Sequence, residues 1–434
     1  MGGSFSLNSE QKTSKFQSLS LDSRQQFLSQ SDLIEEKKSL EDGTSAMKVS
    51  DSKLVSIFLP FYNDKDFLGE AILACQRQSH DRWELFLFDH ASTDGSAEIA
   101  KSFLTDKRIR YLRASENLGA GSGLNLQHCL PKMRGKYLKL LCADDEMRED
   151  CLAECLKFME SNPSIDFCFS DMQFIDGKGK KLSTKWSIER EGVNFNNDEK
   201  KTLKTLFEGK SHLAYPTSFL KLNLIRELPL NTTFIMLFDV WLWTTLLISG
   251  KKIGFIPKTL MYYRCHEGQM SSINNAYLAQ RRSYFENSNL VPIYFKIKDI
   301  NIIKYLIKSE FSNSLKEGDD DLIPFVVAHH YFSSGIGPFD LIGFNKISDL
   351  LNDPYERKRI RERFDYGIKE FRKEYSYPKP VSSNGDSKRF LNEFRNKANT
   401  LTGGDLSFNM LIFLLIKKFY KKLFFRKRKN KYTI

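Results

Sequence analysis

The sequence predicts an α/β fold: an open, mostly parallel sheet with flanking helices, followed by a helical C-terminal region. Two short, nearly continuous apolar runs, LVSIFLP (Leu54–Pro60) and ELFLFD (Glu84–Asp89), have the texture of strands buried on both faces. Amphipathic stretches alternate with these and later runs, a pattern that right-handed crossovers between parallel strands turn into a sheet covered by helices. Each run also ends in polar residues or glycine, where an open α/β sheet binds its ligands.

In order, the pattern predicts a strand at Leu54–Pro60, a helix at Phe67–Gln78, a strand at Glu84–Asp89 and a helix near Gly95–Leu104. A strand at Ile109–Leu112, a helix at Leu124–Met133 and a strand at Tyr137–Cys142 follow. Past Asp150 the periodicity loosens: a helix to about Ser161, a strand at Asp166–Ser170 and a turn at Asp176–Gly179. A helix at Asp239–Ser249 precedes the strand-like segments KKIGFIP and LMYYR. The chain accordingly divides into a polar, Ser- and Gln-rich extension (1–50), a catalytic α/β domain (51–275), a helical domain (276–400) and a basic tail (401–434).

With 434 residues, 41% of them hydrophobic, the chain is long enough for a sizeable core and a second domain. Its seven cysteines include no CxxC pair, and an odd, irregular set suits free thiols in a reducing compartment. The opening MGGSFSLNSEQKTSKFQS lacks an apolar run behind basic residues, so no secretory signal is expected and the cytoplasm is the expected location. The net charge of +12 is a property of the tail: residues 417–434 hold nine Lys/Arg and no acid, leaving only +3 elsewhere. That distribution argues against nucleic acid as a partner of the body.

Four strand ends carry the residue types a nucleotide needs: Pro60, Tyr62 and Asn63; Asp89, Ser92 and Asp94; Asn117, Gly119 and Asn125; then Asp144 and Asp145. Singly, each has a structural explanation, because Asp-Gly marks a turn and paired acids often open a helix. As a series at successive strand ends they converge on one crevice.

The stretches VSIFLPFYN, LFLFDHASTDGS, LRASENLGAGSGLN and YLKLLCADDEM, followed by FDVWLW and MYYRCHEGQMS, resemble the family-2 glycosyltransferases over about residues 54–272. The resemblance implies a GT-A nucleotide-sugar-binding fold, inverting sugar transfer and a divalent cation, Mg2+ or Mn2+. It makes Asp145 the direct metal ligand and Asp144 a ribose or metal contact. Tyr62 would face the base, and Asp89 would accept hydrogen bonds from base or ribose. It places Arg264 and His266 in a closing loop against the diphosphate or metal, and Asp239 as the general base. The chain departs from the family's pattern at His90, at Cys142, where relatives often have another Asp, and at Phe238, where another acid usually precedes the base.

The chemistry calls for these groups. Cleaving a nucleoside diphosphate from a sugar develops negative charge on the leaving phosphate, which hard carboxylate-held cations neutralise. A general base takes the acceptor's proton, a contribution of about 10² to 10⁴ in rate. The expected donor is a nucleotide-sugar, with a UDP-sugar favoured, and the acceptor a saccharide or lipid-linked molecule, in polysaccharide or glycoconjugate synthesis. A sugar nucleotidyltransferase is the alternative, but LPFYNDKDF lacks the Gly-rich loop ending in Arg and Lys of such enzymes. A non-catalytic nucleotide- or membrane-binding relative is the other alternative.

LSFNMLIFLLI (Leu406–Ile416) is too short to span a bilayer, which takes about 20 residues. Followed by KKFYKKLFFRKRKNK, it reads as an interfacial helix meeting an anionic membrane surface, a peripheral attachment at the cytoplasmic face, with an RNA-binding tail or a protein-docking helix as the alternative.

Overall fold

The computed structural model describes residues 53–117, 119, 122–186, 198–269, 276–334 and 337–376. The polar extension at 1–50, the end of the helical region at 377–400 and the basic tail at 401–434 lie outside the described residues.

The first half is the expected alternation. Strands β1 (Val55–Phe61), β2 (Trp83–Asp89), β3 (Ile109–Arg113) and β4 (Tyr137–Leu140) are separated by helices α1 (Leu68–Gln76), α2 (Ser96–Ser102) and α3 (Ser122–Cys129). All four strands run parallel in the order β3-β2-β1-β4, with Val55 opposite both Trp83 and Tyr137. β4 ends two residues before the predicted Cys142, so the chain is already in a loop when it reaches the acid pair.

The second half is mixed. It runs β5 (Glu146–Met147), α4 (Cys151–Ser161), β6 (Phe167–Asp176), β7 (Lys181–Trp186), α5 (Glu199–Phe207), β8 (Ser218–Lys221), α6 (Leu222–Arg226), α7 (Phe238–Ile248) and β9 (Ile253–Cys265). The nine strands order as β3-β2-β1-β4-β8-β6-β9-β5, with β7 beside β6. Four of the eight pairings are parallel and four antiparallel, so "mostly parallel" describes only the first half. One cause is the predicted turn, which is a hairpin: the Asp176 carboxylate accepts the N–H groups of Lys178 and Lys180, both at 2.9 Å, and Gly179 takes a φ of +79°. A connection that short enforces antiparallel return.

The predicted pair KKIGFIP and LMYYR is one 13-residue strand, β9. Its register against β6 shifts around Ser170–Met172, which lets Pro257 sit at an irregularity rather than in the ladder.

Period-two alternation splits β1 and β2 between two cores. Ile57, Leu59, Leu85 and Leu87 face α1 and α4, while Phe58, Phe86 and Phe88 face α3, α5 and α7. The helices after β9 extend this second core: α8 (Ala276–Tyr294), α9 (Ile300–Leu306), α10 (Glu310–Ser314), α11 (Ile323–Phe332), α12 (Gly337–Asn352), α13 (Pro354–Phe364) and α14 (Ile368–Ser376). Their charged segments tie to one another. The acidic run Glu317–Asp321 is partly interior: Asp319 is 2% exposed and pairs with Arg363 (2.7 Å) and Arg359 (3.4 Å) of α13.

Helix α7 is apolar nearly all round because sheet and C-terminal helices enclose it. Trp243 anchors it, stacked on Phe167 at 5.8 Å and edge-on to Phe169 at 4.9 Å. Trp243→Ala should therefore cost about 3–5 kcal/mol of stability, read by urea denaturation; a loss under about 1 kcal/mol would show that this ring does not hold α7 to the sheet.

Candidate active site

A cavity of about 790 Å³ opens at the carboxyl ends of β1, β2 and β4. Because β4 lies parallel beside β1, the loop after it emerges next to Pro60–Tyr62. Pro60, Tyr62, Asn125, Asp144, Asp145, Asp239 and His266 all line the cavity. Residues drawn from five separate stretches of sequence are thus brought to one surface.

The acid pair is held by β9. Strand β5 pairs Glu146 with Tyr262, which sets the Asp144–Asp145 turn against the last residues of β9. There the Arg264 N–H donates to Asp145 Oδ1 at 2.9 Å, and its guanidinium Nε donates to the Asp144 carbonyl at 2.9 Å. The rest of the guanidinium bonds Glu70 at 2.6 Å and Glu146. At 1% exposure, Arg264 lies beneath the acid turn and does not line the cavity.

Asp145 is itself 1% exposed, and its Oδ2 has no hydrogen-bond partner. Burial, reinforced by the adjacent Asp144 charge, drives its carboxyl well above the usual carboxylate range. His266 brings Nε2 to 3.2 Å from Asp144 Oδ2, its ring 4.5 Å from that of Phe67. Cys142 belongs to the same cluster: one donor atom each from Cys142, Asp144 and Asp145 lie within 4.8 Å of one another.

Asp239 is half-buried at the start of α7 and accepts the Val240 N–H at 2.8 Å. It is not the helix N-cap, a position held by Leu237. Burial, with a further contribution from the Glu286 charge, lifts its carboxyl to about 7.

The remaining predicted residues form the ground under the rim. Asp89 is fully buried and accepts from the Ser92 N–H (2.7 Å), the Tyr111 hydroxyl (2.6 Å) and Arg113. Asn63, at a φ of +56°, donates its N–H to the Ser92 hydroxyl and accepts from Thr93. Asp94 accepts from Ser96 and from the Lys65 N–H. Asn117 accepts the Gly119 N–H at 2.8 Å, and Gly119 sits at a φ of +89°. None of these six residues lines the cavity. Asn125 does: it is 4% exposed, and its Oδ1 has no partner.

Two cavity groups escaped the sequence reading. Asp64, two residues past Tyr62, is lifted to about 6, chiefly by burial and then by the charges of Asp144 and Asp94. Nothing in YNDKDF separates it from an ordinary turn acid. The segment 211–216 contributes the opposite wall, held from below by the buried Lys139, whose ammonium donates to the Pro216 and Ser218 carbonyls. All seven cysteines are free thiols, as their spacing predicts.

An acidic turn at the carboxyl edge of an α/β sheet, opening on a cavity roomy enough for a nucleotide and a sugar, is the architecture of the GT-A transferases. Residues 56–227 match the model of Glycosyl transferase family 2. The chain is 29% identical over 217 residues to an uncharacterized glycosyltransferase of Methanocaldococcus jannaschii, covering 49% of this chain and 71% of that one. It is 26% identical over 246 residues to the putative teichuronic acid biosynthesis glycosyltransferase TuaG of Bacillus subtilis, covering 56% and 90%. The solved structure of S. aureus TarS in complex with UDP is similar at 14% identity and a TM-score of 0.46, over 76% of this chain and 94% of that one. Residues 56–227 thus carry a glycosyl transferase family 2 domain, and the chain is a nucleotide-sugar glycosyltransferase.

Proposed function

We propose that the cavity takes a nucleotide-sugar, a UDP-sugar being the favoured donor, and that Asp144, Asp145 and His266 hold Mg2+ or Mn2+ against its diphosphate. The observation that carries this reading is the buried, unpartnered Asp145 Oδ2 beside a second carboxylate and an imidazole nitrogen. A buried carboxyl oxygen without a partner is costly, and a hard cation satisfies it. Oxygen and nitrogen donors suit either ion. When bound, the cation supplies Lewis-acid neutralisation of charge on the departing diphosphate.

The chain's own residues do the rest. Tyr62, exposed at the cavity mouth, offers a flat face to the base, and Asn125 and Pro60 line the donor's path. Asn63, Asp89, Ser92, Asp94, Asn117 and Gly119 shape the strand-end loops around it, and Arg264 fixes the acid turn. Asp239 accepts the proton of the acceptor hydroxyl as its oxygen bonds to the anomeric carbon from the face opposite the diphosphate. The bond from carbon to phosphate oxygen breaks with its electron pair on the diphosphate, so configuration inverts.

The acceptor is a saccharide or lipid-linked molecule, a reading supported by the name of the B. subtilis relative, which places that protein in teichuronic acid biosynthesis. No helix among the described residues is long and apolar enough to cross a membrane. The basic tail would instead bring the enzyme to an anionic membrane surface at the cytoplasmic face.

Asp145→Ala should abolish metal-dependent donor turnover while the protein stays folded by circular dichroism; unchanged turnover in the folded variant would remove the metal assignment. Asp239→Asn should keep donor affinity in calorimetry and lose about 10² to 10⁴ in transfer rate. Since Asp239 acts deprotonated and its carboxyl is raised to about 7, wild-type transfer should climb as pH rises through that value. Equal loss of donor binding and transfer would make Asp239 structural. Deleting residues 406–434 should release the protein from sedimenting anionic vesicles, and undiminished sedimentation would reject the surface attachment.

A further inference from the structure

Glu286, on α8, reaches a segment some fifty residues earlier in the chain. It is buried, and its carboxylate accepts three consecutive backbone N–H groups: Oε1 from Ile235 (2.9 Å) and Met236 (3.2 Å), Oε2 from Met236 (2.9 Å) and Leu237 (2.7 Å). Ile235, Met236 and Leu237 form part of the cavity wall and lead directly into α7, whose second residue is Asp239.

Helix α7 has no side-chain cap of its own, since Leu237 occupies the N-cap. Glu286 supplies from another helix what a local Asp or Ser usually supplies, and does so with a full charge at the positive end of the helix dipole. Charge-assisted hydrogen bonds are about twice as strong as neutral ones. From the other side, Phe238 and the Asn231 carbonyl come within 2.6–2.7 Å of where a Cβ on Gly123 would stand, so only glycine lets α3 approach that closely. The segment is thus gripped from two sides.

We propose that Glu286 is a positioning residue of the active site: by clamping residues 235–237 it sets where the Asp239 carboxylate stands in the cavity. The inference rests on Asp239 as the general base. It also gives the C-terminal helices a part in the reaction, because the clamp comes from α8. Among the described residues, Glu286 is the charged group acting on Asp239, and the Cys142 thiol, in the loop after β4, shares the Asp239 field. The clamp therefore acts on the base in two ways, through geometry and through charge.

The two separate in variants of the full chain. Glu286→Gln keeps the shape, removes the charge and replaces an acceptor oxygen with an N–H2 that opposes the N–H groups. It should lower kcat about tenfold or more at unchanged donor affinity. It should also move the rise of kcat with pH toward lower pH, since the neighbouring negative charge that disfavours ionised Asp239 is gone. Glu286→Asp keeps the charge but not the reach. It should lower kcat while leaving the position of the rise in place, and it carries the test if Glu286→Gln does not fold. Hydrogen–deuterium exchange at the amides of 235–237 should quicken in either variant, a readout that does not depend on Asp239 being the base. Unchanged kcat, pH profile and amide exchange in folded variants would overturn the inference. So would a loss of donor affinity as large as the loss of kcat. If wild-type protein binds no nucleotide-sugar, the functional reading fails, while the exchange result still reports on the clamp.

Discussion

The hydrogen bond from the Arg264 N–H to the buried Asp145 carboxylate joins the two halves of this molecule's chemistry. On one side stands the parallel unit β1–β4, which delivers the acid pair to the edge of the sheet; on the other stands β9, which arrives after an antiparallel excursion and brings His266. Without the β5–β9 pairing that sets this bond, Asp144 and Asp145 would be two acids on a surface loop. With it, Asp145 has one oxygen satisfied by backbone and the other buried without a hydrogen-bond partner. An acid held in that state is preorganised: its orientation is set before any ligand arrives, so binding involves little rearrangement.

The acid pair and the strands before it were legible because buried parallel strands leave an unmistakable signature of near-continuous apolar runs, and because α/β sheets bind at their carboxyl edges. What lies after Asp150 was only partly legible. β7 and β8 are short strands in polar or mixed sequence, and β9 contains a Pro that breaks the apparent run in two. Pairing between β6, β8 and β9 is decided by tertiary contact, which no local pattern reports.

Within the site the same distinction holds. Asp144, Asp145, Asp239 and His266 converge as the resemblance implies, yet Arg264, expected against the diphosphate, is turned inward to Glu70 and Glu146. An Arg at a strand end reads identically whether it faces a ligand or ties down a loop, because both use the same fork of donors. Asp89 is comparable: its position at the end of β2 was readable, but not that Tyr111, Arg113 and Ser92 would occupy its oxygens. Glu286 had no local signal at all, since its meaning lies in a segment fifty residues away.

The electrostatics of the cavity follow from crowding acids where water is scarce. Burial lifts Asp64 to about 6 and Asp239 to about 7 and raises Asp145 well above an ordinary carboxyl, so the folded chain holds protons that the unfolded chain releases. By linkage, such groups reduce stability as pH rises from their ordinary value of 3.8 through the folded values, the reverse of the salt-bridged carboxylates that usually stabilise a fold. The fold tolerates this because two large apolar cores, one on each face of the sheet, hold it together. The cluster is therefore better explained by function than by stability: desolvated carboxyls with raised values gather at functional sites, and in the proposed reading Asp145 gains from a cation and Asp239 from an acceptor's proton. The clamp on Asp239 also carries a negative charge. An amide or hydroxyl cap would hold the helix equally, whereas a carboxylate adds its charge to the burial that chiefly raises Asp239.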